Sequence, residues 1–171
     1  LVGMANTGSM EEVYFRSDWL AEAGVTGSPS SWDEVLDFAR AIKTAQPDVV
    51  PFGWWAQRGN GANLFFSTMS AMGVTFDGSI PDLKGEGGQY WIGFIQTLAR
   101  EGLISPQAVA WNEDDMRGGY VSSNIGMMLD SAPTSVDAQE AGLEAGTNFN
   151  IVPMPTSRSG GSISSAQQVL Q

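Results

Sequence analysis

The chain has 171 residues, 42% of them hydrophobic, enough for one domain with a real core. It contains no cysteine and no histidine, which excludes disulfides, thiol nucleophiles, Ser-His-Asp and Cys-His pairs, and His- or Cys-ligated metals. Its net charge is −11, so nucleic acid is not an expected partner and an anionic membrane face would repel it.

In chain order, Leu1 to Met10 is small and polar and reads as an irregular lead-in. Val13, Tyr14 and Phe15 favour a strand. Ser17 is placed to cap a short helix starting at Asp18, and Gly24 to end it in a left-handed conformation. Pro29 sets a turn. Ser31 with Glu34 three residues on is a capping box, and Val35, Phe38, Ala39 and Ile42 follow on one helical face. Asp48 to Trp55 reads as a short strand, with Pro51 placing it at an edge or bulge. A polar loop, Gln57 to Asn63, leads into a helix from Ala62 to about Met72 that stops at Gly73. Asp77-Gly78 marks a hairpin turn.

Trp91, Phe94, Ile95 and Leu98 recur at helical spacing within a helix over Gln89 to Glu101, closed by Gly102. Leu103 to Pro106 is an extended exit. Asn112 caps a further helix whose first turn, Glu113-Asp114-Asp115, complements the positive helix terminus; Gly118 and Gly119 should keep it short. Consecutive carboxylates on a helix diverge by about 100°, so these three read as terminal charge rather than as a metal site. Ile125 to Leu129 is a buried strand. Asp130-Ser131 turns into a helix around Ala132 to Glu140, and Asn150 to Pro155 is a last extended segment. Ser157 to Ser165 is rich in Gly and Ser and reads as a linker.

Several of these segments carry a resemblance in order. They are Tyr14-Phe15, Asp18, Leu20, Ala23-Gly24, Pro29 and Trp32-Asp33-Glu34. Ala71-Met72-Gly73-Val74-Thr75-Phe76-Asp77 follows, then Tyr120 before the Met-rich strand, then Val152-Pro153-Met154-Pro155. The series resembles the extracellular solute-binding proteins of ABC importers, in the sugar- and oligosaccharide-binding, maltose-binding-protein-like group. The resemblance implies an α/β fold: one lobe of a periplasmic-binding-protein-like (Venus-flytrap) protein, helix-rich with short strands. Residues 1–12 would be a hinge crossover, 13–150 the substrate-binding lobe, and 151–171 the return hinge with a Gly/Ser-rich tail. The chain starts without a methionine and is read as a fragment of a longer two-lobed protein.

The implied function is non-catalytic capture of a carbohydrate and delivery to an ABC permease, outside the membrane in the periplasm or on a lipid anchor. No cofactor and no metal are implied, and a monomer is expected. Ser9 and Glu11, before the first strand, would face the ligand. The loop holding Arg58, Asn60 and Asn63 would lie at the cleft, where amides donate to and accept from hydroxyls. If Trp54 and Trp55 lie in a strand they point to opposite faces, one toward the cleft as a stacking ring; alternation does not say which. Trp111 is either a core or a cleft ring, while Trp19, Trp32 and Trp91 fit helix faces turned to the core. Asp130 and Ser131 complete the candidate set. The family often places a tryptophan where Ala132-Pro133 stand here, which points to a smaller sugar or a differently built cleft.

Competing readings keep the fold and change the ligand to a polyamine or an anion, or change the class. A glycoside hydrolase would need two carboxylates fixed on opposite sides of a sugar bond. Arg58-Gly59-Asn60-Gly61 lacks the Lys-Ser/Thr of a phosphate-binding loop. An interaction domain with a vestigial cleft is the remaining alternative.

Overall fold

The computed structural model describes residues 11–57 and 62–156. A sheet with strand order β4-β1-β5 lies at its centre. The first strand, β1 (Glu12–Phe15), is central because Val13, Tyr14 and Phe15 are fully buried on both faces. It pairs antiparallel with β4 (Met127–Asp130) and with β5 (Asn150–Pro153). Glu12 stands opposite both Asp130 and Pro153 in this register.

Between β1 and β4 the chain makes α1 (Ser17–Glu22), α2 (Trp32–Ala45) and α3 (Ala62–Ala71). A small hairpin of β2 (Phe76–Asp77) and β3 (Ile80–Pro81) follows, then α4 (Glu86–Arg100) and α5 (Glu113–Val121). The last helix, α6 (Pro133–Glu140), connects β4 to β5. The apolar stripe of α2 buries Trp32, Val35, Phe38, Ala39 and Ile42, as its spacing predicts. Trp32 meets Phe94 of α4 edge-on with ring centroids 5.3 Å apart, and Phe52 meets the same ring at 6.4 Å. Trp91 donates its indole N–H to Thr68 Oγ1 at 3.1 Å, tying α4 to α3. The core therefore runs unbroken from the sheet through both helices, with Trp19, Trp32 and Trp91 all in it.

The segment expected as a strand over Asp48 to Trp55 is not one. It makes two isolated parallel bridges to the β4 side, Val50 to Ile125 and Gly53 to Met128. Between them the Phe52 N–H turns away to the Leu103 carbonyl at 2.8 Å, so no continuous ladder to the β4 side forms. Gly53 is required there because a Cβ would sit 2.9 Å from Ile125 Cγ2 and 3.0 Å from Met116 Cγ.

Helix α1 begins one residue earlier than Ser17 as a cap would allow. Arg16 occupies the cap position, and its side chain makes no cap hydrogen bond. The Ser17 hydroxyl instead donates to the Thr147 carbonyl at 3.3 Å. The capping box at α2 is half formed as expected: Ser31 Oγ accepts from Glu34 N–H at 3.2 Å. The Glu34 carboxylate overshoots by one residue and takes the Ser30 N–H at 2.6 Å and the Ser30 hydroxyl at 2.8 Å. Helix α5 is not cut short by its glycines; it passes through Gly118 and Gly119 to Val121. A Cβ on Gly119 would lie 2.6 Å from Ile125 Cδ1, so the glycine serves close packing there rather than helix termination.

Candidate functional site

Strand direction decides which residues meet. β1 runs antiparallel to β4 and β5, and the 50–53 segment runs parallel to β4. The start of β1, the end of β4, the end of β5 and the exit of the 50–53 segment therefore share one end of the sheet. Glu11, Asp130, Ser131 and the run from Trp54 to Gln57 come together at this end from distant parts of the chain. Trp111 joins them through its carbonyl, which accepts from Gln57 N–H at 3.0 Å. Trp111 is half-buried against the core and directly precedes α5.

Helix α5 is set at this end by a reciprocal cap. Asn112 Oδ1 accepts from Asp115 N–H at 2.9 Å, and Asp115 Oδ2 accepts from Asn112 N–H at 3.0 Å. One turn on, Arg117 points back at the end of β4. Its Nε and Nη2 donate to Asp130 Oδ2 and Oδ1 at 3.0 and 3.1 Å, a bidentate pair. Nη2 also donates to Glu113 Oε1 at 2.5 Å, and Nε to Thr134 Oγ1 at 2.9 Å. Asp114 and Asp137 carboxylates stand 3.6 and 3.9 Å from the same guanidinium. One cation thus faces an excess of carboxylates. Sequence reasoning missed Arg117 and Thr134 and treated Glu113 as helix-end charge alone; the Glu113–Arg117 spacing of four was the available signal.

The charge excess shows in the titration of the acids. Burial pushes the Glu11 carboxyl up to about 7, and the nearby Asp130 and Glu113 charges add to that, against the pull of Arg117. Glu113 is also held above the ordinary carboxylate range, by burial first and then by the Asp130 charge. A protonated Glu11 carboxyl presents both a donor and an acceptor. Tyr14 Oη donates to the Ser131 carbonyl at 2.9 Å, which fixes where the chain leaves β4 for α6.

Trp54 and Trp55 are both buried, at 3% and 5% exposure, because the segment is not a strand and its side chains do not alternate between cleft and core. Trp54 packs edge-on against Phe65 at 5.6 Å and lies 6.2 Å from Phe52. Asn63 is exposed in the first turn of α3. Ser9, Arg58 and Asn60 lie outside the described residues. Among the described residues, no group of three acidic or metal-ligating side chains is arranged to hold a metal ion, and no helix is long and apolar enough to cross a membrane.

Comparison with solved structures places the fold. A maltose-bound MalE3 of T. maritima superposes with TM-score 0.76 at 19% identity, over 95% of this chain and 42% of that one. A solute-binding protein of an ABC transporter from Thermotoga lettingae TMO, bound with α-D-tagatose, gives 0.75 at 18% identity, over 99% and 45%. A sugar transporter from Arthrobacter chlorophenolicus A6, with bound laminaribiose, gives 0.72 at 16% identity, over 95% and 40%. The chain thus spans less than half the length of these proteins and has the fold of part of them. Comparison with curated protein sequences gives no match. Residues 11–167 match the family described as bacterial extracellular solute-binding protein, and the chain belongs to that family.

Proposed function

We propose that this chain is one lobe of a two-lobed binding protein that captures a carbohydrate without chemical turnover and hands it to the permease of an ABC importer. Residues 13–150 form the lobe, and 1–12 and 151–171 lead to the partner lobe. The antiparallel pairing of Glu12 with Pro153 and of Val13 with Val152 supports reading β1 and β5 as the inner ends of both crossings. The protein works outside the membrane, in the periplasm or on a lipid anchor.

The observation that carries the reading is the end of the sheet where Glu11, Trp111, Glu113 and Ser131 converge. Carboxylates, an acid raised toward neutral pH by its burial and a half-buried indole suit a sugar, which offers hydroxyl donors and acceptors around an apolar C–H face. The maltose, tagatose and laminaribiose held by proteins of this fold support the same ligand class. Closure of two lobes about such a rim would divide the contacts between them, so the single lobe should bind weakly.

The test is a titration of the complete parent chain with maltose, laminaribiose and D-tagatose, read by tryptophan fluorescence with product analysis of the same samples. A saturable shift with unchanged sugar supports capture. Turnover of the sugar refutes it in favour of an enzyme. Silence with all sugars and a shift with a polyamine or an anion keeps the fold and replaces the ligand class.

A further inference from the structure

Asp130 sits at the centre of the proposed rim, yet its carboxylate has nothing left to offer a ligand. A carboxylate has about four lone-pair directions. Oδ1 accepts from Ser131 N–H at 2.7 Å and from Arg117 Nη2 at 3.1 Å. Oδ2 accepts from Thr134 Oγ1 at 2.7 Å and from Arg117 Nε at 3.0 Å. The residue is 3% exposed. Glu113 differs on both counts. It commits Oε1 to Arg117 and its side chain is 43% exposed. Glu11 lies one residue beyond the Glu12–Asp130 pairing, at the level of Ser131, and is half-buried.

We infer that Asp130 is a positioning residue rather than a ligand contact: it clamps Arg117, and Arg117 aims Glu113 across the rim from Glu11, so that these two acids are the ones that meet the solute. The inference rests on the reading of this rim as the solute site. The clamp is preorganised by groups from every element packed there. β1 supplies Glu12 and Tyr14, and Glu11 directly precedes it. α5 supplies Glu113, Asp114 and Arg117. The end of β4 supplies Asp130, and α6 supplies Thr134 and Asp137. Arg117 is suited to the task because its planar fork holds a carboxylate in fixed geometry, where a lysine would act as a point charge.

The experiment has two arms, both on the complete parent chain. In the first, carbon NMR of glutamate-labelled protein follows the Glu11 carboxyl through pH, with Glu11→Gln assigning the resonance. No ligand is used. The wild-type midpoint is expected at about 7. Asp130→Asn removes a negative neighbour and should lower it; Arg117→Gln removes the cation and should raise it; Arg117→Lys keeps the charge and should restore it in part. In variants that keep the wild-type circular dichroism, midpoints that move the same way, or that neither variant moves, would refute the inference. Should Asp130→Asn fail to fold, the two Arg117 variants report the same clamp from its other partner.

In the second arm, calorimetry measures maltose, laminaribiose and D-tagatose. Asp130→Asn and Arg117→Gln should each weaken binding by about tenfold, the loss of one positioned hydrogen bond to a charged group. The double variant should lose little more than either single one. Loss of binding in Asp130→Asn with Arg117→Gln unaffected would show that Asp130 touches the sugar and overturn the inference. If none of the sugars binds the wild type, the sugar reading fails and with it the ligand half of the inference, while the titration arm still tests the coupling of Asp130 and Arg117 to Glu11.

Discussion

The two ends of the central sheet each hold an arginine and an aspartate, and they are built to opposite ends. At the end of β1, Arg16 is nearly buried, pairs bidentately with Asp18 at 2.9 and 2.6 Å, and donates to Ser123 Oγ at 2.8 Å. Its guanidinium carbon lies 4.0 Å above the Trp19 ring. Burial would raise the Asp18 carboxyl, but the Arg16 hydrogen bonds and charge, with Asn148 and the Trp19 N–H, outweigh it and hold it below its ordinary value. Charge is balanced there and every partner is intramolecular. At the other end, Arg117 is oversubscribed, and burial, with the Asp130 charge adding to it, holds Glu11 and Glu113 above the carboxylate range. A balanced buried pair fixes a fold. An unbalanced one leaves acids whose hydrogen-bonding capacity a bound molecule can complete.

The largest expected effect tests the balanced end. Asp18→Ala strands the nearly buried Arg16 guanidinium without its carboxylate, and should cost roughly 3–5 kcal/mol in urea denaturation. A loss below about 1 kcal/mol would mean that the Trp19 stack and Ser123 suffice, and the contrast between the two ends would collapse.

The next tests the unbalanced end through pH. Glu11 has its folded-state pKa raised from 4.5 to about 7. Its contribution to stability is therefore full below 4.5 and is lost as pH rises through about 7. The loss amounts to at most roughly 3 kcal/mol, at about 1.4 kcal/mol per pKa unit. Glu11→Gln does not titrate, so thermal unfolding should show it overtaking the wild type in alkaline solution and matching it in acid. Parallel curves would put Glu11 outside the cluster.

A smaller change is expected for Glu113→Gln. Arg117 keeps the buried Asp130, and one of several crowded carboxylates is neutralised, so stability should move by less than about 1 kcal/mol in either direction. The same substitution should weaken sugar binding, which separates the rim from the scaffold. Smallest of all, Arg40→Ala breaks an exposed pair with Glu101 at 2.7 Å, the two side chains being 43% and 40% exposed, and should cost no more than about 0.5 kcal/mol by denaturation.

Much of the scaffold was legible because local chemistry and tertiary structure agree. The Ser31 cap, the α2 stripe, the Asn112 cap and the buried Met-rich strand each follow from side-chain spacing and backbone hydrogen-bonding needs. Gly78, with φ at +59°, sits at the first central position of the hairpin turn that Asp77-Gly78 announced. Where the reading failed, a long-range partner had overruled a local preference. Ser17 gave up its cap for the Thr147 carbonyl, 130 residues away. Gly118-Gly119 did not end α5, which runs on to Val121; at 119 the glycine leaves the space that Ile125 fills.

The sequence by itself determined the order of the helices, the apolar positions of the core, the absence of thiol and imidazole chemistry and, through its ordered motifs, the family. Those properties depend on neighbours within a few residues or on composition. Only the tertiary structure decided which acids share a site and what each does there. Asp130 was legible as a polar residue after a buried strand, but its saturation by Arg117, Thr134 and Ser131 depends on α5 and α6 meeting the end of β4. The burial of both Trp54 and Trp55 likewise depends on distant partners: the Phe52 N–H bonds to Leu103 instead of continuing a ladder to β4, and Phe65 of α3 arrives against one of the rings. Charge and burial act through space, and the spacing of residues along the chain does not specify that distance.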